Sequence, residues 1–446
     1  MDTNCIANVT RLIDDRPLGA FQVTAMVLCA LVAFLDGLDS QSIAVAAPLI
    51  VSDLGLARTA IGSILSSSLL GAAIGAMTFG PLGDRFGRKS ILVVAATAFG
   101  VFTILTSYAG SHSAMLAVRF CAGLGLGGAT PCFLALASEF APSRARAAVA
   151  TMIWAAFPVG AMAGGFINSY ILRVSDWHTM FLVGGIAPLL VVVVLLLLFL
   201  PESIRFLLAG DRDPGRARRI AARLIPDLPP SAILSADEQR MRGASVGELF
   251  ARGRAATTLL LWVPFITGFG TLAIIAYWTP SLLRENGISP SDTAFVLGVQ
   301  SIGSILGMAV SGRLVERLGP ARVLTLSLLA GAVATSSIGF FAASVGSVSI
   351  VEAVSCFFVG MGSAGSIGLS ALVYPTAVRS TGMGWAMGMG RFGQVAASLA
   401  MGVVVGLGWG SQEVFLALGI APLIGAISVL AMRWHTSRQS AAEVVA

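Results

Sequence analysis

Within stretches of this chain that are otherwise almost wholly apolar, four ionisable residues are candidates for buried sites: Asp36, Asp39, Arg119 and Arg391. Asp36 and Asp39 lie in Phe34-Leu35-Asp36-Gly37-Leu38-Asp39, a spacing that puts both on one face of a helix. Two carboxylates on one face repel when both are charged, and removal from water penalises the charged form. A pair of this kind can hold a proton and release it when water arrives, which is a proton relay. The plainer reading is that one carboxylate pairs with Arg119 or Arg391 and ties helices together; both readings stand at this level. Gln41 brings further hydrogen-bonding groups close by. Arg391, within Gly388-Met389-Gly390-Arg391-Phe392-Gly393, carries a planar donor fork that matches a carboxylate. It either binds a substrate anion or belongs to a structural ion pair. Arg119 opens Arg119-Phe120-Cys121-Ala122-Gly123 near one end of its stretch, where a long side chain can snorkel to water.

The elements that must position these residues are long and apolar. Of 446 residues, 56% are hydrophobic and 11% charged, against about 25% charged in soluble domains. That composition excludes an ordinary soluble enzyme, a disordered chain and a nucleic-acid binder. A helix crossing a bilayer needs about 20 apolar residues. Twelve stretches qualify: 21–48, 60–80, 90–109, 113–137, 147–170, 177–199, 255–280, 292–311, 321–342, 345–373, 382–406 and 410–432. The expected fold class is therefore an all-α membrane protein of twelve transmembrane helices.

The net charge of +6 reads as topology. With both termini in the cytoplasm, 23 of the 28 Lys and Arg residues fall on the inner side; Arg58, Arg173 and Arg284 fall outside, and Arg119 and Arg391 lie within spans. This is the positive-inside bias. The first residues, with Arg11, Asp14, Asp15 and Arg16, do not read as a signal peptide. Five cysteines, four of them in spans, form no disulfide framework.

The spans divide six and six. The expected organisation is a tail over 1–20, a six-helix bundle over 21–200, a cytoplasmic linker over 201–254, a second bundle over 255–432 and a tail over 433–446. The linker holds ten arginines and seven acids, and an amphipathic helix after Pro214 reads as a tether at the inner membrane surface. A faint repeat relates the bundles. Gly83-Asp84-Arg85-Phe86-Gly87 follows the second span and Val315-Glu316-Arg317-Leu318-Gly319 the eighth; Arg144 and Arg379 also correspond. Repeats of this kind are typical of carriers that rock one half against the other.

The glycine-rich stretches around Gly123–Gly128 and Gly382–Gly393 suit close helix packing. No Walker motif or metal-ligand set is present, so no ATPase, metal site or other cofactor is expected. Trp154, Phe157, Phe265, Phe269, Tyr277 and Trp278 can line a cavity or pack, and Trp278 beside Pro280 looks like an interfacial anchor.

Gly80-Pro81-Leu82-Gly83-Asp84-Arg85-Phe86-Gly87-Arg88-Lys89 resembles the signature between the second and third helices of the major facilitator superfamily. The resemblance implies a cytoplasmic latch built on Gly83, Asp84, Arg85, Gly87 and Arg88, with a weaker counterpart at Glu316 and Arg317. Asp84 is expected to meet the positive end of a helix beginning near Thr381–Gly384. Three further pieces, Asp36-Gly37-Leu38-Asp39, Arg119 through Gly128 with Pro131 and Glu139, and Tyr374-Pro375 with Arg379, Gly382 and Arg391, together are similar to the aromatic acid:proton symporter family. That similarity implies proton coupling at Asp36 and Asp39 and substrate binding at Arg391 and Arg119; Gln41 is expected to join the substrate site, and Glu139 an inner gate with Arg144 and Arg146. Trp177-His178 departs from the family's usual Trp-Arg at an outer loop.

The expected function is a proton-coupled importer of aromatic carboxylic acids, hydroxylated benzoates first, in a bacterial inner membrane. Its expected partners are the acid anion, protons and lipid, and one chain is expected to suffice as a monomer. A carrier of a non-aromatic organic acid or sugar acid is the nearest rival, and a non-transporting sensor or a channel is the rival from another class.

Overall fold

A computed structural model describes residues 6–208, 212–224, 233–235, 246–251, 254–374 and 378–445. Twelve helices are long and apolar enough to cross a membrane. They are α1 (Ala20–Asp53), α2 (Ala60–Phe86), α3 (Arg88–Thr106), α4 (His112–Phe140), α5 (Arg146–Val174), α6 (Trp177–Phe199), α7 (Ala255–Glu285), α8 (Pro290–Leu318), α9 (Pro320–Phe341), α10 (Val345–Val373), α11 (Arg379–Gly406) and α12 (Ser411–His435). Each expected stretch meets one of them. Most run longer than the apolar stretch, because helical hydrogen bonding continues past the last apolar residue into polar ends.

Local chemistry sets the breaks. Gly87, between α2 and α3, has φ 101°, and Gly319, between α8 and α9, has φ 80°. Both lie in the left-handed region that a Cβ disfavours. These are the repeat-related glycines, so the same tight turn recurs in both halves. Ser111 and Ser344 likewise stand just before α4 and α10, and each of those helices is 29 residues long. In α6, Pro188 lacks an amide hydrogen, and a π-helical stretch runs over Pro188–Val193.

The chain forms two compact units. The first comprises Met1–Gly37, Leu70–Gly160 and His178–Met241; the second comprises Leu38–Leu69, Ala161–Trp177 and Arg242–Ala446. The boundary passes through α1, α2 and α5 rather than around them. In the first unit α3 packs along α4, and its apolar core includes Phe99, Leu126, Phe133 and Phe140. The central segment joins that core: Ile204 and Leu207 of a short helix, and Ala217, Ile220 and Ala221 of the helix Pro214–Leu224, are buried in it. Two three-residue strands, Ile6–Asn8 and Ile233–Ser235, pair in parallel with Ile6 opposite Ile233. The central segment is thus packed as well as charged. In the second unit α8 packs along α10, α7 along α11 and α12, and α9 along α10 and α12.

Candidate functional site

The boundary between units falls between the paired acids of α1. Asp36 belongs to the first unit and is partly exposed; Asp39 belongs to the second and is 3% exposed. Beyond Asp39 the helix is fixed by polar bonds. The Gln41 amide donates to Ser301 Oγ at 3.1 Å and to the Leu297 carbonyl at 3.4 Å, both on α8. Asn168 of α5 donates to Ser42 Oγ at 3.1 Å. Gly165 lets α5 approach α8 so closely that a Cβ there would collide with the backbone of Gly298. Gln41, expected to bind substrate, therefore spends its amide nitrogen on α8, while its buried Oε1 accepts no hydrogen bond.

Arg119 does not snorkel. It is fully buried, with its guanidinium 5.5 Å from the Phe181 ring centre. Cation–π attraction and surrounding helices keep it inside. Arg391 is partly exposed on α11 and reaches Gln394 Oε1 at 3.4 Å. Arg391, Asp39 and Gln41 share the second unit, whereas Arg119 and Asp36 share the first. Trp278 is also buried, not an interfacial anchor, because its indole donates to Ser398 Oγ at 3.3 Å. Phe265 and Phe269 stack in parallel at 6.0 Å, as do Trp154 and Phe157 at 6.3 Å.

The motif around the α2–α3 turn builds a polar cluster. Gly83 is buried against Cys132 and Arg88. Arg88 bridges two acids, Asp84 at 3.0 Å and Glu139. Glu139 also accepts from the Ser203 hydroxyl. Its partners are thus Arg88 and Ser203. Arg144, expected beside it, instead donates to the Arg16 carbonyl at 3.0 Å, and Arg146 lies 4.0 Å from Asp14. Asp14 accepts from the Ser143 amide at 2.6 Å, and that bond holds its carboxyl below the usual aspartate range. Asp84 is largely exposed and pairs within its own turn. The acid seated at a helix N-terminus is Glu202, 3% exposed, which accepts from the Lys89 amide at 3.0 Å in the first turn of α3. Arg85 is exposed, with its guanidinium 5.3 Å from the Phe86 ring. Glu316 and Arg317, the repeat counterparts, are exposed; the Arg379 side chain lies outside the described residues.

Arg58, Arg173 and Arg284 are the exceptions to the inner-side charge bias. All three have partners in the second unit: Arg58 pairs with Glu285 at 2.6 Å, Arg173 approaches Asp292 at 3.9 Å, and Arg284 donates to the Pro48 carbonyl at 2.9 Å. Each contact joins α1, the α1–α2 turn or α5 to α7 or α8. Their acidic partners lie far away in sequence, so no local signal announces them.

A further ionisable group lies deep within the spans. Glu352 of α10 is fully buried, and neither carboxyl oxygen has a hydrogen-bond partner. Carboxylates at the centre of a membrane helix cost about 2.5–3.5 kcal/mol on insertion scales. The signal was visible, an acid within an apolar run. Among the described residues, no group of three or more His, Cys, Asp or Glu side chains is arranged to hold a metal ion.

Twelve apolar helices, a repeat marked by matching turns and charged groups held inside the spans define a multi-pass membrane transporter of the major facilitator type. Residues 22–443 match the family model described as sugar (and other) transporter, and the chain belongs to that family. It is 32% identical over 429 residues to the 4-hydroxybenzoate transporter PcaK of Pseudomonas aeruginosa, covering 95% of each chain. It is 33% identical over 423 residues to a gallate transporter of Pseudomonas putida, covering 94% of this chain and 93% of that one. Its fold resembles the partially occluded, inward-open xylose transporter XylE of E. coli, with TM-score 0.72, 17% identity, and 93% and 97% of the two chains covered. The family carries out transport, not enzymatic chemistry.

Proposed function

We propose that this protein is a proton-coupled symporter that imports aromatic carboxylic acids, hydroxylated benzoates first among them, by alternating access. In this reading it works as a monomer in the bacterial cytoplasmic membrane with both termini in the cytoplasm. Protonation at the Asp36/Asp39 face and capture of the substrate carboxylate by Arg391 neutralise charges that are costly inside the membrane. With those charges neutralised, the barrier to carrying the site through the apolar interior falls, and acid and proton leave together on the other side. The Arg58, Arg173 and Arg284 contacts act as the outer latch, and the Arg88–Glu139–Ser203 cluster as the inner one. One proton with one monoanion moves no net charge; a second proton would add about 2.3 kcal/mol per 100 mV of membrane potential.

The observation that carries this reading is the presence of two first-helix carboxylates and a partly exposed arginine inside apolar spans, in a chain about a third identical to named aromatic-acid transporters. The direct test uses proteoliposomes, an imposed acid-outside gradient and labelled 4-hydroxybenzoate, gallate, an aliphatic acid and a sugar acid. Aromatic acids are expected to accumulate and to show counterflow. Asp36→Asn and Asp39→Asn should each abolish gradient-driven accumulation and leave folded protein in the membrane. Full accumulation by both variants sinks the coupling role, and a preference for the aliphatic or sugar acid sinks the substrate class.

A further inference from the structure

Glu352 occupies a special place in the repeat. It lies seven residues after Val345, the first residue of α10, as Arg119 lies seven residues after His112, the first residue of α4. A serine precedes each helix, Ser111 and Ser344. Corresponding positions of the two repeats thus hold one fully buried base and one fully buried acid.

The groups that interact with the Glu352 carboxyl, Thr279 and Cys356, are polar and uncharged, and hydroxyls recur on the neighbouring helices. From α7, Thr279 faces the carboxyl. From α8, Gln300 and Ser304 face Cys356, which lies one turn beyond Glu352 and interacts with it. From α9, Thr335 is bonded to Ser355 of α10 at 2.7 Å. From α11, Ser398 is taken up by Trp278. Among the described residues, the Cys356 thiol is the titratable side chain that bears on Glu352, and no cation does. Glu352 therefore has none of the compensation that Arg88 gives Glu139.

The hydrogen-bond inventory points the same way. Gln300 Oε1 and Thr279 Oγ1 are buried and, like both oxygens of Glu352, lack partners. An ionised carboxylate only accepts, whereas a neutral carboxyl brings one O–H donor into a cluster that holds the unmatched Gln300 Oε1 acceptor. Burial without a paired charge also disfavours the ionised form. We propose that Glu352, with Thr279, Gln300 and Cys356, is a proton-binding site of the C-terminal repeat, neutral while buried and exchanging its proton with water when the transport cycle wets the cluster. The inference rests on the reading of this chain as a proton-coupled carrier, and it adds an ionisable site separate from the α1 acids. The step is a proton transfer between the carboxyl and water, with no other bond changed.

The test compares the full-length parent with Glu352→Gln, which keeps size and hydrogen-bonding shape but cannot ionise. Infrared difference spectra of the reconstituted protein, taken across a pH series, should show a protonated-carboxyl C=O band that disappears in Glu352→Gln. In proteoliposomes the variant should keep counterflow and lose accumulation against a pH gradient. An unaltered infrared spectrum, or full gradient-driven accumulation by the variant, overturns the proposal. If the parent moves no aromatic acid, the proposed function fails while the infrared band still decides the site. Thr279→Val is a second variant that leaves the carboxyl in place. It should shift the same band, and an unshifted band counts against the cluster even where Glu352→Gln does not fold.

Discussion

The two polar clusters at the ends of the helices are built on opposite plans. The cluster at the α2–α3 turn is compact and half-buried: the Glu139 side chain is 8% exposed and Arg88 25%. It draws on α2, α3, α4 and the segment after α6, all within the first unit. The pairs made by Arg58 and Arg173 are open, with side-chain exposures of 70% and 24% for Arg58 and Glu285 and of 60% and 42% for Arg173 and Asp292. Breaking a buried pair leaves an uncompensated charge, whereas an exposed pair gains little beyond what water already supplies. The first cluster can therefore set the shape of its unit, while the second can form and part at small cost.

The largest effect is expected from Glu139→Ala. Loss of the acid leaves Arg88 half-buried beside Asp84 alone, and a destabilisation of about 3–5 kcal/mol is expected. Thermal unfolding of the detergent-solubilised protein reads it as a large fall in Tm, and a Tm within a degree or two of the parent would refute the structural role. Next in size is Gly165→Val. The added side chain meets the α8 backbone at Gly298, so an overpacking cost of about 1–3 kcal/mol is expected. Cysteine cross-linking between α5 and α8 should weaken accordingly, and undiminished cross-linking would show that the close approach is dispensable. The smallest effect belongs to Arg58→Ala, about 0–1 kcal/mol. A Tm shift as large as that of Glu139→Ala would erase the distinction between the clusters.

Much of the architecture was legible because it is written locally. Apolar runs announce helices wherever they stand, and the paired glycines at 87 and 319 mark one turn twice. Pairing is another matter. Arg58 and Glu285 are neighbours only after α1, α2 and α7 have folded, and nothing near either residue names the other. Arg119 was placed at the water boundary by counting along its helix, yet the helices around it and the Phe181 ring enclose it. Trp278 misled for the same reason, since composition cannot say whether an indole at a helix end faces lipid or a neighbouring hydroxyl. Asp84 drew attention through its motif, whereas the acid seated on a helix N-terminus is Glu202, whose partner lies 113 positions away. Glu352 needed only a plain scan for acids inside apolar runs, and its likeness to Arg119 emerges once both helix starts are fixed.

The short parallel pairing of Ile6–Asn8 with Ile233–Ser235 has a genetic consequence. Among the described residues each strand is the other's sole strand partner, so trimming the first eight residues and scrambling residues 233–235 inflict one lesion by two routes. A double mutant carrying both should be no sicker than the worse of its parents, a pattern of epistasis that independent appendages would not produce.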